Sequence, residues 1–466
     1  MTHYVSLLFD VEDLCWPDSD DINLDLVQIL NQQDVRGTFF VVGEKAKLFS
    51  QRNRLDIIQA LADHDIGTHT TSHSVHPTIA EYLADLSWEE GVLTAIDKEG
   101  AGIDMIETHF GRRPTCWGQP GGSWGPQIHK AMERLNVPVT VYPKTRVSAL
   151  GDLHWYAGSL VFPDYQMVKF DQGLTDDGQF NQLLDDMATF LDDRMAQGAR
   201  WTGIFVCHPT RLKAVEFWDG LNFAEGINTD PADYQMPTLL SDEAYQTSLK
   251  NFDQLVTTLK GDPRLQIATV GEVSQVFRPP DKTIFLYQLD ETVDEISRLA
   301  DIPTHFFNFS PAELLDLLVR VYISSDTIPE TFQRRAVGGP VDEPPSDDPS
   351  SDLIFWPDFL SACQSLNQYI THTGYLPASI SVRGGQWSVG AFYRAVIDAW
   401  FAFRAGNPPP SISWKPSPIY PAVGQEIASV VQDDYEGWPI HTPGRDLNTL
   451  LMHTCFQCWT LRPAYE

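Results

Sequence analysis

His69 and His73 stand four residues apart in a polar segment, downstream of an acidic cluster made of Asp10, Glu12 and Asp13. Two histidines at that spacing face the same way on one helical turn, so a single metal ion could reach both. A carboxylate from a separate strand would complete a facial set of ligands and leave positions open for water and substrate. One neighbouring carboxylate would remain free to act as a base. These are the parts of a metal-dependent hydrolase.

On a strand, residues two apart share a face, so Asp10 and Glu12 both look into such a site. Glu12 is then the natural metal ligand and Asp10 the natural base. Asp13 is a rival ligand if the chain has already turned. His208 ends the apolar run 204–207 and precedes Pro209. His76 is a further candidate, for which a supporting or surface role is favoured.

The elements that must hold these residues follow a regular order. Up to residue 278, short apolar strands alternate with amphipathic helices, the pattern of a parallel α/β fold. Strands are predicted at 4–9, 37–43, 65–68, 114–117, 138–142, 203–207 and 265–270, with helices at 24–32, 88–109, 126–135, 180–196 and 242–259. Seven such units predict a deformed or incomplete (β/α) barrel. In that architecture catalytic residues cluster at the C-terminal ends of the strands. Asp10, His69, His73, the segment 117–122 and His208 all fall at or just after such ends.

The proline-rich stretch 278–281 is the predicted boundary between a catalytic domain, 1–278, and a smaller, mainly helical accessory domain, 281–466, of no assigned role. In the second part Ser310 to Glu313 reads as a capping box with proline at the first helical position. Helices are expected at 358–371 and 389–405, with a flexible polar insert near 338–352. This part offers a surface for homo-oligomerisation.

The balance of 63 acidic against 32 basic residues, a net charge of −31, argues against nucleic acid or an anionic membrane surface as partner. No apolar run is long enough to span a membrane, and the first residues lack a basic export signal, so a cytoplasmic location is expected. The six cysteines are scattered and read as plain thiols, Cys455 and Cys458 included.

Together the motifs resemble the polysaccharide deacetylase family, the NodB-homology domain of carbohydrate esterase family 4. Residues 9–13 are similar to its first motif, with one residue between base and ligand. Residues 36–43 look like its buried second strand, and 64–73 like its metal-binding motif over ten positions. Residues 204–208 resemble its late strand ending in a catalytic histidine. The resemblance covers roughly 1–278 in the right order. In the family's third motif an arginine holds the catalytic aspartate, whereas Gly118 stands there in this chain. The orientation of Asp10 is thereby left to another cation or hydrogen-bond donor.

The resemblance implies hydrolysis of a non-peptide C–N amide bond, foremost N-deacetylation of an N-acetylated sugar or polysaccharide. A divalent metal, zinc by expectation, would be held by Glu12, His69 and His73. Asp10 would act as base, His208 as acid, and the Gly121 N–H as oxyanion donor. The alternatives are an allantoinase-like hydrolase of a small cyclic or linear amide, and a catalytically degenerate carbohydrate-binding scaffold. Trp16, Trp117, Trp124, Trp155 and Trp201 are candidates to stack on sugar rings.

Overall fold

The alternation of side chains along the first strand, β1 (His3–Val11), sets up two layers. Leu7, Phe9 and Val11 enter one apolar cluster with Leu26, Phe39, Phe252 and Leu255. Leu8 enters another, on the opposite face, with Phe40, Val141, Phe162 and Val206. By the two-residue period of a strand, Asp10 belongs to the face of Leu8. The computed structural model describes residues 3–464 except 146–152, 165–166, 199–200, 278, 280, 305–308, 325–327, 344–347, 350–351 and 384.

Ten further strands extend this one into an 11-stranded curled sheet. They are β2 (Thr38–Val41), β3 (Asp65–Thr68), β4 (Trp117–Gly118), β5 (Val139–Tyr142), β6 (His154–Tyr156), β7 (Ser159–Pro163), β8 (Met167–Lys169), β9 (Trp201–Cys207), β10 (Leu265–Ile267) and β11 (Arg462–Pro463). The order is β11-β6-β7-β5-β4-β3-β2-β1-β9-β8, with β10 also pairing with β1. All pairs from β7 through β5, β4, β3, β2 and β1 to β9 and β8 are parallel, so their C-terminal ends share one rim. Among the described residues the sheet does not close on itself, and the fold is an incomplete α/β barrel.

A strand lies at or beside each of the seven predicted positions, but the one expected at 114–117 is the two-residue β4 at 117–118, and the one expected at 265–270 ends at 267, before the helix Val270–Val276. The hairpin β6–β7, the short β8 and the late β11 were not predicted. The hairpin turns at Ala157 and Gly158, both with positive φ (47° and 96°). That is a primed two-residue turn without the Asn-Gly or Asp-Gly signal that would reveal it.

Helices cover the sheet where the periodicity places them. The longest, Trp88–Phe110, starts in a capping box formed by Ser87 and Glu90 and ends at Gly111 in the left-handed conformation. In the second part, the Ser310/Glu313 capping box opens the buried helix Pro311–Tyr322, and helices Trp356–Thr373 and Val389–Arg404 pack around it. Within 338–352, the Gly338 N–H donates to the Gly374 carbonyl at 2.9 Å; positions 344–347 and 350–351 lie outside the described residues.

The last stretch returns to the first part of the chain. Ile427, Val431, Tyr435 and Leu450 share an apolar cluster with Ile79, Leu83, Trp124 and Ile128, and β11 pairs with β6 at one edge of the sheet. All six cysteines are buried thiols without disulfides. No described helix is long and apolar enough to cross a membrane.

Candidate active site

The rim of the sheet brings Asp10, Glu12, His69, His73 and His208 together. Asp10 leaves β1 one residue before its end, and Glu12 follows the strand by one. Glu12 Oε2 lies 3.0 Å from His73 Nε2 and 3.4 Å from His69 Nε2. Asp10 Oδ2 is 3.6 Å from His208 Nε2 and 4.0 Å from His69 Nε2. All but the partly buried His208 are almost completely shielded from solvent.

The segment carrying the two histidines is not a helical turn. His69 follows β3 directly, and the chain then runs as an irregular loop in which Thr70 and His73 adopt positive φ (69° and 53°). The His73 N–H donates to Thr70 Oγ1 at 2.8 Å, which closes the loop. The four-residue spacing thus serves the pair through a loop held by its own hydrogen bonds.

Each of the three imidazoles is anchored through Nδ1 and offers Nε2 to the centre. His69 Nδ1 contacts the Gly118 carbonyl at 3.1 Å, and a carbonyl only accepts, so the proton sits on Nδ1. His73 Nδ1 contacts Ser74 Oγ at 2.6 Å, and that hydroxyl donates onward to Asp219 Oδ2 at 2.8 Å. His208 Nδ1 contacts Asp171 Oδ2 at 2.7 Å. Such outer partners fix the tautomer and the ring direction of a ligating histidine. Trp218 Nε1 donates to Glu12 Oε1 at 3.2 Å, leaving Oε2 turned inward. Burial alone would raise the Glu12 pKa, but His73 and His69 hold its carboxyl well below the usual range.

The ligand atoms of Glu12, His69 and His73 lie within 4.8 Å of one another. Two imidazole nitrogens and one carboxylate, all buried, suit a divalent ion of zinc's type. Asp13 is not part of this group. Its Oδ1 accepts from the N–H groups of Cys15 and Trp16 at 2.8 and 2.9 Å, so it caps the turn after Glu12. His76 lies between Glu81 (2.7 Å) and the Phe223 carbonyl (2.9 Å), where it braces two loops.

The glycine at the arginine position has a steric explanation. A Cβ on Gly118 would lie 2.8 Å from the Phe40 ring and 3.1 Å from His69 Nδ1, so no side chain fits. The donor comes from the next strand: the Tyr142 hydroxyl donates to Asp10 Oδ1 at 2.8 Å. Tyr142 has φ 82°, a conformation rare for a bulky residue and one that costs on the order of 1–3 kcal/mol. Burial leads the causes that raise the Asp10 pKa, against the opposing pull of His69, His208 and the Tyr142 hydrogen bond.

Gly121 (φ 44°) lies in the loop after β4, and its carbonyl accepts from Gln119 Nε2 at 2.7 Å. Gly121, Asp10, Tyr142 and His208 line a cavity of about 310 Å³, together with Lys144, Asp434 and Trp438. The tryptophans read as sugar platforms serve elsewhere. Trp16, Trp117, Trp124 and Trp201 are buried in the core, and Trp155 lies under the Arg462 guanidinium, 4.9 Å from its ring centre. The aromatic residues at the site include Tyr142, Trp218 and Trp438. Tyr142 is the last residue of β5, Trp218 opens the short helix Trp218–Asn222, and Trp438 lies in the part with no recognised pattern.

A family model described as polysaccharide deacetylase matches residues 2–140. No curated protein sequence matches the chain. Solved structures similar to it include a Mycobacterium smegmatis protein assigned to the polysaccharide deacetylases, at 14% identity and TM-score 0.38, covering 59% of this chain and 89% of that one. Another is the peptidoglycan deacetylase PdaC from Bacillus subtilis, at 15% identity and TM-score 0.29, covering 59% and 91%. A third is a carbohydrate esterase family 4 pseudoenzyme from Bacillus anthracis, at 16% identity and TM-score 0.32, covering 58% and 65%. At TM-scores this low the structural likenesses carry no argument about the site. The matched stretch contains Asp10, Glu12, His69, His73 and the loop at Gly118 to Gly121, and over that stretch the chain is similar to the polysaccharide deacetylase family.

Proposed function

We propose that the chain is a metal-dependent hydrolase that removes the acetyl group from the nitrogen of an N-acetylated sugar. The observation that carries this reading is the set of three imidazoles anchored through Nδ1, whose Nε2 atoms all lie within 4.0 Å of Glu12 or Asp10. Glu12, His69 and His73 would hold the ion, and zinc fits the donor set. When bound, such an ion polarises the acyl carbonyl and acidifies water.

The chain's own groups supply the proton transfers. Tyr142 occupies Asp10 Oδ1, so Oδ2 is the atom free to take a proton from the attacking water. The Gly121 N–H would stabilise the oxyanion of the tetrahedral intermediate. His208, held by Asp171, would protonate the departing amine.

Burial alone would lower the pKa of His208, but the Asp171 hydrogen bond and charge raise it from 6.5 to about 9. The folded state therefore favours the protonated acid. Its share of stability is full below about pH 6.5 and is lost as the pH rises through about 9. Activity is expected to fall on the alkaline side near pH 9, and Asp171→Asn to move that limb toward 6.5. A pH–rate profile of both proteins measures it; an unmoved limb would show that His208 is not the acid.

The function itself is tested on the purified full chain by metal analysis and by acetate release from a panel of N-acetyl sugars. About one equivalent of a divalent metal and acetate formation are expected. Loss of a cyclic or linear amide without acetate would point to an allantoinase-like activity. A protein with no stoichiometric metal and no turnover would be a scaffold, and the hydrolase reading would be abandoned.

A further inference from the structure

The cavity that holds Asp10 and His208 is bounded on one side by a segment from the far end of the chain. Helix Val423–Gly437 ends at Trp438, and the indole lies against the Gly121 backbone so closely that a Cβ there would meet it at 2.3 Å. A Cβ on Gly122 would likewise meet the Asp434 carbonyl at 2.1 Å. The Trp438 ring is edge-on to His73, with centroids 5.8 Å apart at 85°. One aromatic ring thus spans the gap between a candidate metal ligand and the candidate oxyanion donor.

This segment is a fixed wall. Lys144 forms an ion pair with Asp434 and lies 3.8 Å from Asp164 across the cavity mouth. Beyond the indole, His441 packs at 4.8 Å and is itself stacked on Tyr435 at 4.0 Å. The N–H groups of Glu225 and Gly226 donate to the carbonyls of Pro439 and Ile440 at 2.9 and 3.0 Å. The Thr442 N–H donates to Glu81 Oε1 at 2.8 Å. Tethers to three separate parts of the first 280 residues leave the wall no hinge.

We propose that Trp438 and the Lys144–Asp434 pair set the size of the substrate, restricting it to a single N-acylated unit, either free or at the end of a chain. At about 310 Å³ the cavity sits at the lower end of the range for small-ligand sites. A cavity of that size suits one sugar ring and its acyl group, and Asp434, Gly437 and Trp438 take up one side of it. This assignment rests on the hydrolase reading above, and Trp438 is a specificity residue within it.

The test uses the full-length, metal-loaded protein. Acetate release is measured from N-acetylglucosamine, its dimer and its hexamer, for wild type and for Trp438→Ala. Wild type is expected to prefer the short substrates and to remove at most one acetyl group per hexamer chain. Trp438→Ala is expected to raise kcat/KM on the hexamer about tenfold and to release several acetates per chain, with metal content unchanged. Internal deacetylation of the hexamer by wild type would overturn the proposal, as would an unaltered size preference in the variant. If Trp438→Ala does not fold, Trp438→Phe and Lys144→Ala decide by the same readout.

A binding measurement separates this idea from the hydrolase reading. Acetohydroxamate and the bulkier 4-phenylbenzohydroxamate are titrated calorimetrically. Wild type should bind the small ligand at least about tenfold more tightly, and Trp438→Ala should abolish the difference. That result without any acetate release would retain the wall and sink the deacetylase function. Equal binding of the two by wild type, or binding of neither, would sink the wall.

Discussion

Replacing His73 with alanine is expected to strip the protein of its metal and bring acetate release down to background. The ring supplies one of three ligand atoms, and Glu12 and His69 alone cannot make a closed set. Elemental analysis of the variant should find about a tenth of an equivalent or less, while wild type keeps about one, the expectation for removal of a direct ligand. Ser74→Ala provides the graded comparison. It keeps the ring but cuts its relay to Asp219, and metal affinity should fall about 10–100-fold. Full metal retention by His73→Ala would disprove the ligand assignment.

Asp10→Asn is expected to behave in the opposite manner, keeping the metal while losing the chemistry. Asparagine fills the same space and still accepts from Tyr142, but its amide cannot take a proton. Loss of a general base costs about 10²–10⁴-fold in rate. The effect should appear in kcat with KM little changed, because the carboxylate acts on the attacking water and not on the bound ground state. Tyr142→Phe should produce a smaller loss, about tenfold, the equivalent of roughly 1.4 kcal/mol for one buried hydrogen bond. An Asp10→Asn protein with wild-type kcat would remove Asp10 from the mechanism.

The grouping of the candidate site residues was legible because they sit where a parallel sheet must put them. Strand periodicity placed Asp10 on the inner face, and the strand-end rule gathered Asp10, His69 and His208 at one rim. The partners that orient them were not legible. Asp171 is an ordinary aspartate after a three-residue strand, Tyr142 looks like the end of an apolar run, and Ser74 and Asp219 are separated by 145 positions. Each acts through a single long-range hydrogen bond, which leaves no periodic trace in sequence. The helical turn predicted for 69–73 failed for a related reason. The spacing suited a helix, but side-chain to backbone bonds at Thr70 gave the loop a competing solution.

The segment 281–466 was the least legible, and its role as a wall depends on contacts that only the folded chain makes. The tryptophans nearest the motifs went into the core, as large aromatic residues generally do, and one outside every motif came to the cavity. Apolar character alone could not distinguish these fates.

The position of Trp438 has a consequence for the order of events during synthesis. Chains fold from the N-terminus as they emerge from the ribosome. Asp10 and the candidate ligands Glu12, His69 and His73 are made before His208, and all of them before helix Val423–Gly437. The indole that lines the cavity arrives after all of them. Until then, a nascent chain would present an open cleft and an uncovered patch around Trp124 and Ile128. A protein truncated before helix Val423–Gly437 would be caught permanently in that state, broader in what it admits and more prone to aggregate.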